Sequence, residues 1–173
     1  MRDVGLLGLG QTPVAERWDA SIRDLAVEAA RQALADAGVD QVDAVYVGNM
    51  ASGILNGQEN LATLVADACG LLPAEAVKIE AACASGGAAV RAGYLAIAGG
   101  THERVLAIGV EKMTDRTTDA VTAALAIAAD ADYEAAHGAS FVALNALLMR
   151  RYMEERRLTR DAFAPFALLA HAN

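Results

Sequence analysis

Apolar positions recur along this chain in two rhythms, and their order predicts a layered α/β fold. Residues 4–10, Val-Gly-Leu-Leu-Gly-Leu-Gly, predict a short buried strand leading into a loop over residues 11–20. Ser21 then opens a predicted helix. Its hydroxyl suits a free backbone N–H in the first turn, and Asp24 suits the positive helix end. Ile22, Leu25, Ala26, Ala29, Ala33 and Ala37 follow at helical spacing, and Gly38 marks the stop. Residues 42–48 predict a second strand, residues 49–59 a polar loop, and residues 61–69 a helix closed by Gly70. Residues 77–81 predict a third strand and residues 86–98 a helix ended by Gly99-Gly100. Residues 104–110 predict a fourth strand, whose nearly continuous apolarity suits burial on both faces.

Strands and helices thus alternate, which predicts a mainly parallel, mixed sheet flanked by helices. Past Glu111 the pattern changes. Residues 114–119 are polar and turn-like, and the Ala-rich stretch 120–129 fits a helix or a strand equally well. Residues 139–157 predict a longer helix with Phe141, Leu144, Leu147 and Leu148 on its inner face. Residues 159–170 predict another, with Thr159 as N-cap and Asp161 in the first turn. No internal repeat or low-complexity linker interrupts the pattern.

Composition narrows the class. The 173 residues are 55% hydrophobic, 21% charged and 5% aromatic, the profile of a packed globular chain of one domain. Ala, Val and Leu dominate the apolar set, so close helix packing is expected. The net charge of −8, from 14 basic and 22 acidic residues, argues against nucleic-acid binding. The basic pairs Arg150-Arg151 and Arg156-Arg157 alternate with Glu154 and Glu155 as a solvated helix face. The two cysteines, Cys69 and Cys83, form neither a CxxC pair nor a metal-ligand spacing, so no metal is expected. Neither a signal peptide nor a membrane-spanning run is expected, and a reducing cytoplasm is the default compartment.

The chemistry points to residues 79–90, Ile-Glu-Ala-Ala-Cys-Ala-Ser-Gly-Gly-Ala-Ala-Val. A strand ends, Cys83 stands at the turn, and a helix of small residues begins. Unpaired N–H groups at a helix start favour the thiolate of a cysteine held there. The same groups can receive the oxyanion that forms when a thioester carbonyl is attacked. Ser85, Gly86 and Gly87 leave room for a substrate to approach. A small buried hydrophobe is the competing reading of Cys83, since free cysteine often serves as one. Cys69 reads as core on the inner face of its helix. His102, after a helix stop, reads as a surface residue, and His171 lies in the final stretch.

Residues 80–87, Glu-Ala-Ala-Cys-Ala-Ser-Gly-Gly, resemble the nucleophile motif of thiolases, closest to the branch with the sterol-carrier-type enzymes. Residues 7–13 resemble that family's first strand and loop. Residues 99–114, through Glu111-Lys112-Met113-Thr114, resemble its fourth strand and the segment after it. His137-Gly138, followed by a helix ending Arg150-Arg151-Tyr152-Met153, resembles its loop domain. The resemblance spans nearly the whole chain. It implies a thiolase N-terminal domain over residues 1–173, with a helical loop-domain extension at about 113–157 and the C-terminal thiolase domain absent. It makes Cys83 the nucleophile that forms an acyl-thioester, for Claisen condensation or for thiolysis of a 3-ketoacyl-CoA. It places His137 and Gly138 along the CoA and acyl channel, although the family's methionine between such residues is missing here. Ser85 and Gly86 stand beside the nucleophile as substrate-binding candidates.

The implied substrates are acyl-CoA thioesters, with no resident cofactor, and the implied assembly is a homo-oligomer. In the family, a histidine and a second cysteine from the C-terminal half assist the nucleophile. Neither a Gly-His-Pro motif nor a late Cys-x-Gly occurs here. A missing C-terminal half or a partner subunit is therefore expected, as is an exposed apolar face that lowers solubility. Two other readings stay open: a relative of ketoacyl synthases or 3-hydroxy-3-methylglutaryl-CoA synthases, and a non-catalytic binding or scaffold subunit.

Overall fold

The computed structural model describes residues 2–173, which divide into two compact units, residues 2–124 and 125–173. In the first unit α1 runs Ile22–Ala37, β1 Ala44–Gly48, α2 Leu61–Ala68, β2 Glu75–Ile79, α3 Ser85–Gly99 and β3 Val105–Gly109. The strands pair in parallel in the order β2–β1–β3. Ala44 stands opposite Glu75 on one side and Val105 on the other.

The ends of α1 follow from its sequence. Ser21 Oγ accepts the Asp24 N–H at 3.2 Å, and the Asp24 carboxylate accepts the Ser21 N–H at 3.0 Å. This reciprocal box satisfies two donors that a helix start leaves free; the Ser21 hydroxyl, donating to the Asp24 carboxylate at 2.7 Å, and then the Ser21 N–H hold that carboxyl below the usual carboxylate range. Gly38 closes the helix at φ +66°, a conformation that costs glycine nothing.

The sheet carries helices on both faces. Val45 and Val47 of β1 and Leu106 and Ile108 of β3 pack against Ile22, Ala26 and Ala30 of α1 and Leu61 and Val65 of α2. Ala44 and Tyr46 point the other way, with Val105 and Ile79, onto Ala89, Ala92 and Ala96 of α3. That alternation is the period-2 register of a strand. Every residue of β1 is buried, as a central parallel strand requires. Tyr46, in the middle of β1, donates to Glu75 at the start of β2 at 3.1 Å, and burial followed by that carboxylate pushes its hydroxyl pKa up.

Three sequence expectations need correction, and one open between helix and strand is settled. Residues 4–10 form no strand: they lie beside α1, tied by the Leu9 N–H to Asp36 and the Gln11 N–H to Gln32. Leu6, Leu7 and Leu9 are exposed there, because a cavity separates this segment from the sheet. The polar loop after β1 contains a turn of π-helix at Ser52–Asn56, closed by Gly57 at φ +66°. The ambiguous Ala-rich stretch is a helix, α4, at Thr118–Ala126, and Ala124 packs on Ala51 and Leu55. His102 is not a free surface residue: its Nε2 lies 3.4 Å from the Glu75 carboxylate, with the side chain 17% exposed.

The second unit holds α5 at Phe141–Arg156 and α6 at Ala164–Ala172. Ser140 caps α5, accepting the Ala143 N–H at 3.2 Å. Phe141, Leu147 and Leu148 were expected on an inner face, yet all three are exposed, since α5 buries none of its residues. Among the described residues, no helix is long and apolar enough to cross a membrane.

Candidate active site

β2 ends at Ile79, and the chain turns through a short 3₁₀ segment, Ala82–Ala84, into α3. Cys83 is the middle residue of that segment. The turn is held by its own side chains. Ser85 Oγ accepts the Ala81 N–H at 2.9 Å and donates to the Ala82 carbonyl at 2.7 Å. The Ala84 N–H donates to the Ala81 carbonyl at 2.9 Å, and the Glu80 carboxylate takes the Ala82 N–H. No hydrogen bond to the N–H of Cys83 itself is found among the described residues.

Ala82 carries the strain of this turn. Its φ is +48°, in the left-handed region that a Cβ penalises. Such a residue costs on the order of 1–3 kcal/mol and persists only where its surroundings over-determine it. The four hydrogen bonds around it do so, and the result is a cysteine lifted out of a sharp strand-to-helix turn. Its thiol is exposed.

Three glycines set where the turn sits. A Cβ on Gly48 would lie 2.7 Å from the Gly86 Cα and closer still to the Ser85 carbonyl. A Cβ on Gly109 would lie 3.4 Å from that same Gly86 Cα. Bare backbone at the ends of β1 and β3 therefore lets the first turn of α3 press directly on the carboxyl edge of the sheet. That edge is where parallel α/β sheets present ligand sites.

A polar clasp pins the neighbouring loops to the same edge. The Glu111 carboxylate accepts from Asn49 Nδ2 at 2.8 Å and from the Met50 N–H at 3.0 Å. Asn49 Nδ2 also donates to the Val110 carbonyl, while Asn49 Oδ1 accepts the Ser52 N–H. Lys112 is 3% exposed and ion-paired with Asp115. Sequence reasoning missed Asn49 and Lys112. An asparagine directly after an all-apolar strand was the available signal, and nothing local marked the lysine as buried.

The remaining expected residues fall as follows. Ser85 is buried, with its hydroxyl engaged by the turn, and Gly86 packs against Gly109. Gly87 has nothing within 4 Å of a built Cβ. His137 ends a 3₁₀ turn in the second unit and is exposed; Gly138 follows it at φ +73°. Cys69 is half-buried at the edge of the core, and burial pushes its thiol up. His171 is exposed in the last turn of α6. Cys83 is exposed, and it does not line the cavity of about 620 Å³ in the first unit. Among the described residues, no three His, Cys, Asp or Glu side chains gather as a metal set.

Known proteins agree with this architecture. The family model described as thiolase, N-terminal domain, matches residues 7–173. The acetyl-CoA acetyltransferases of Methanothermobacter thermautotrophicus and Methanocaldococcus jannaschii are 46% and 45% identical to this chain. Both alignments cover 100% of it, and 45% and 44% of those relatives. The chain belongs to the thiolase N-terminal domain family. It spans less than half the length of the curated relatives it matches. Among solved structures, the 3-oxoacyl-[acyl-carrier-protein] synthase III of Aquifex aeolicus matches 56% of this chain and 32% of its own. Its TM-score is 0.50 at 24% identity, a likeness of fold alone.

Proposed function

We propose that this chain is the nucleophile-bearing half of a thiolase-type acyltransferase. The Cys83 thiolate attacks the carbonyl carbon of an acyl-CoA. A new S–C bond forms, the bond from carbonyl carbon to CoA sulfur breaks, and CoA leaves as a thiolate that takes up a proton. The negative charge that develops on the carbonyl oxygen falls near the start of α3, where an uncommitted N–H of Cys83 is a suitable donor. The observation that carries this reading is the exposed thiol on a strained turn at the carboxyl edge of the sheet.

Several further roles belong to the same reading. Ser85 and Gly86 shape the ground beside the nucleophile, and His137 and Gly138 line the CoA and acyl channel as their counterparts do in the family. Residues 113–157 serve as the loop domain. A complementary C-terminal part supplies the acid–base groups, which contribute typically about 10²–10⁴-fold. CoA thioesters are substrates here, not resident cofactors, and the working protein is a cytoplasmic homo-oligomer.

The test is direct. The purified chain is incubated with acetyl-CoA, and its peptides are mapped by mass spectrometry. One acetyl group on the peptide containing Cys83, absent from Cys83→Ala, is the expected result. A folded chain with no adduct, alone or with a complementary half supplied, would overturn the acyltransferase reading in favour of a binding or scaffold role.

A further inference from the structure

The turn that carries Cys83 commits its backbone donors with one exception. Ser85 Oγ takes the Ala81 N–H, the Ala81 carbonyl takes the Ala84 N–H, and the Ala82 carbonyl takes the Ser85 N–H. The Ala82 N–H goes to the carboxylate of Glu80. Between residues 81 and 85, the N–H of Cys83 is the one with no partner among the described residues.

An ordinary helix start is arranged differently. A polar side chain at the N-cap accepts the N–H two or three positions on. The residues in that place here are Ala81, before the 3₁₀ segment, and Ala84, before α3, and neither carries a side-chain acceptor. Glu80, one position earlier than Ala81, supplies the acceptor instead. Its carboxylate binds the N–H two positions on, at Ala82, and not the one three positions on, at Cys83.

That choice of donor is tied to the left-handed backbone of Ala82, at φ +48°. Glu80 fixes the peptide plane on the near side of the Ala82 Cα. Ser85 Oγ, donating to the Ala82 carbonyl at 2.7 Å, fixes the plane on the far side. Two fixed planes define the φ and ψ of the residue between them. The far plane also contains the Cys83 N–H, which a trans peptide points opposite to the Ala82 carbonyl. An alanine relieved of either hold relaxes toward negative φ, and the Cys83 N–H turns with it.

The charge of Glu80 does not suit it to activate the thiol, because a carboxylate near a thiolate opposes its ionisation. The Lys78 ammonium, two residues earlier, is ion-paired with Glu59 at 3.0 Å, and no ion pair to Glu80 is found among the described residues.

We propose that Glu80 is a positioning residue for acyl transfer: its carboxylate keeps Ala82 left-handed and so presents the uncommitted Cys83 N–H to the carbonyl oxygen of the thioester. This role rests on the reading above that Cys83 is acylated. Glu80 acts through Ala82 and does not touch the acyl group.

The experiment compares two reactions of Cys83 in the unaltered chain, Glu80→Ala and Glu80→Gln. Acetylation by acetyl-CoA uses the oriented N–H as well as the sulfur; where the chain alone is not acetylated, the C-terminal part of the Methanothermobacter relative is supplied. Alkylation by iodoacetamide displaces iodide, forms no oxyanion and uses the sulfur alone. Glu80→Ala should slow acetylation at least about tenfold and leave alkylation as fast or faster, since a negative charge near the thiolate is gone. Glu80→Gln keeps a weaker, neutral acceptor and should recover most of the acetylation. Glu80→Ala combined with Ala82→Gly should be acetylated at least about threefold faster than Glu80→Ala, because glycine holds the left-handed conformation unaided.

Unchanged acetylation in Glu80→Ala overturns the proposal. Equal slowing of both reactions does so too, since it marks a general loss of structure at the turn. A double variant no faster than Glu80→Ala removes the route through Ala82 and overturns it as well. No acetylation of the unaltered protein sinks the acyltransferase reading, and this role with it. The hold on Ala82 is then read separately from its amide proton, which should exchange at least about tenfold faster in Glu80→Ala. Equal exchange would show that Glu80 does not hold the turn at all.

Discussion

Gly48 and Gly86 meet backbone to backbone: a methyl group on Gly48 would lie 2.7 Å from the Gly86 Cα. Gly48→Ala must therefore push the first turn of α3 off the sheet. Urea unfolding should show a loss of about 2–3 kcal/mol, and acetylation of Cys83 should slow. Gly87→Ala, with open space around it, should be neutral or stabilising by up to about 1 kcal/mol through helix propensity.

Ala82 holds its left-handed conformation against the penalty of its own Cβ. Ala82→Gly should remove that penalty and raise stability by about 0.5–1 kcal/mol, read as a higher urea midpoint at unchanged slope. A lower midpoint would show that the turn is not strained.

The Glu111 carboxylate holds the loop after β1 by way of Asn49 and the Met50 N–H. Glu111→Ala strands those donors beside the buried Asn49 side chain and should cost about 2–3 kcal/mol. Glu111→Gln keeps an acceptor and should cost less. Equal losses for the two would argue against the clasp.

The two thiols should separate in a labelling experiment. Cys83 is exposed, whereas Cys69 is half-buried with its thiol pushed up by burial. Iodoacetamide at neutral pH should modify Cys83 first, by at least about tenfold in rate, and reach Cys69 fully only on unfolding. Peptide mass mapping over time reads both.

Asp43 gives an acid-sensitive contribution. Its carboxylate accepts the Arg104 N–H at 2.9 Å and the Glu103 N–H at 2.7 Å, which lowers its pKa. A carboxyl lowered in the folded state stabilises above its unfolded pKa of about 3.9 and loses that contribution as pH falls through the folded value. Stability measured from pH 6 downward should therefore fall below about pH 4, and Asp43→Asn should flatten that fall. An identical pH profile for the variant would remove Asp43 from the account.

The sheet and its flanking helices were legible because their signals are local. Ser21, Asp24 and Gly38 bound α1 by capping chemistry, and the unbroken apolar run of β1 announced central burial; the similar run of β3 did not, since β3 lies at the sheet edge with Leu106 and Ile108 alone buried. Residues 4–10 were misread because an apolar run records what a segment prefers to bury, not whether a partner lies within hydrogen-bonding reach. The same holds for Phe141, Leu147 and Leu148, apolar at helical spacing yet uncovered. At the site, Cys83 was conspicuous at a strand–helix junction. The left-handed Ala82 was not, since alanine is an unlikely occupant of that conformation on sequence grounds. Gly48 and Gly109 matter through backbone approaches to Gly86, 38 and 23 positions away along the chain, and no local pattern encodes them.

No residue of the second unit, Leu125–Asn173, is buried. An isolated helix of 16 residues, the length of α5, is only marginally stable in water. Heating should therefore melt the two units on different terms. Ellipticity from α5 and α6 should fade gradually, like a peptide's, while the sheet unit gives way in one sharp transition, so calorimetry would register far less cooperative heat than 173 residues imply.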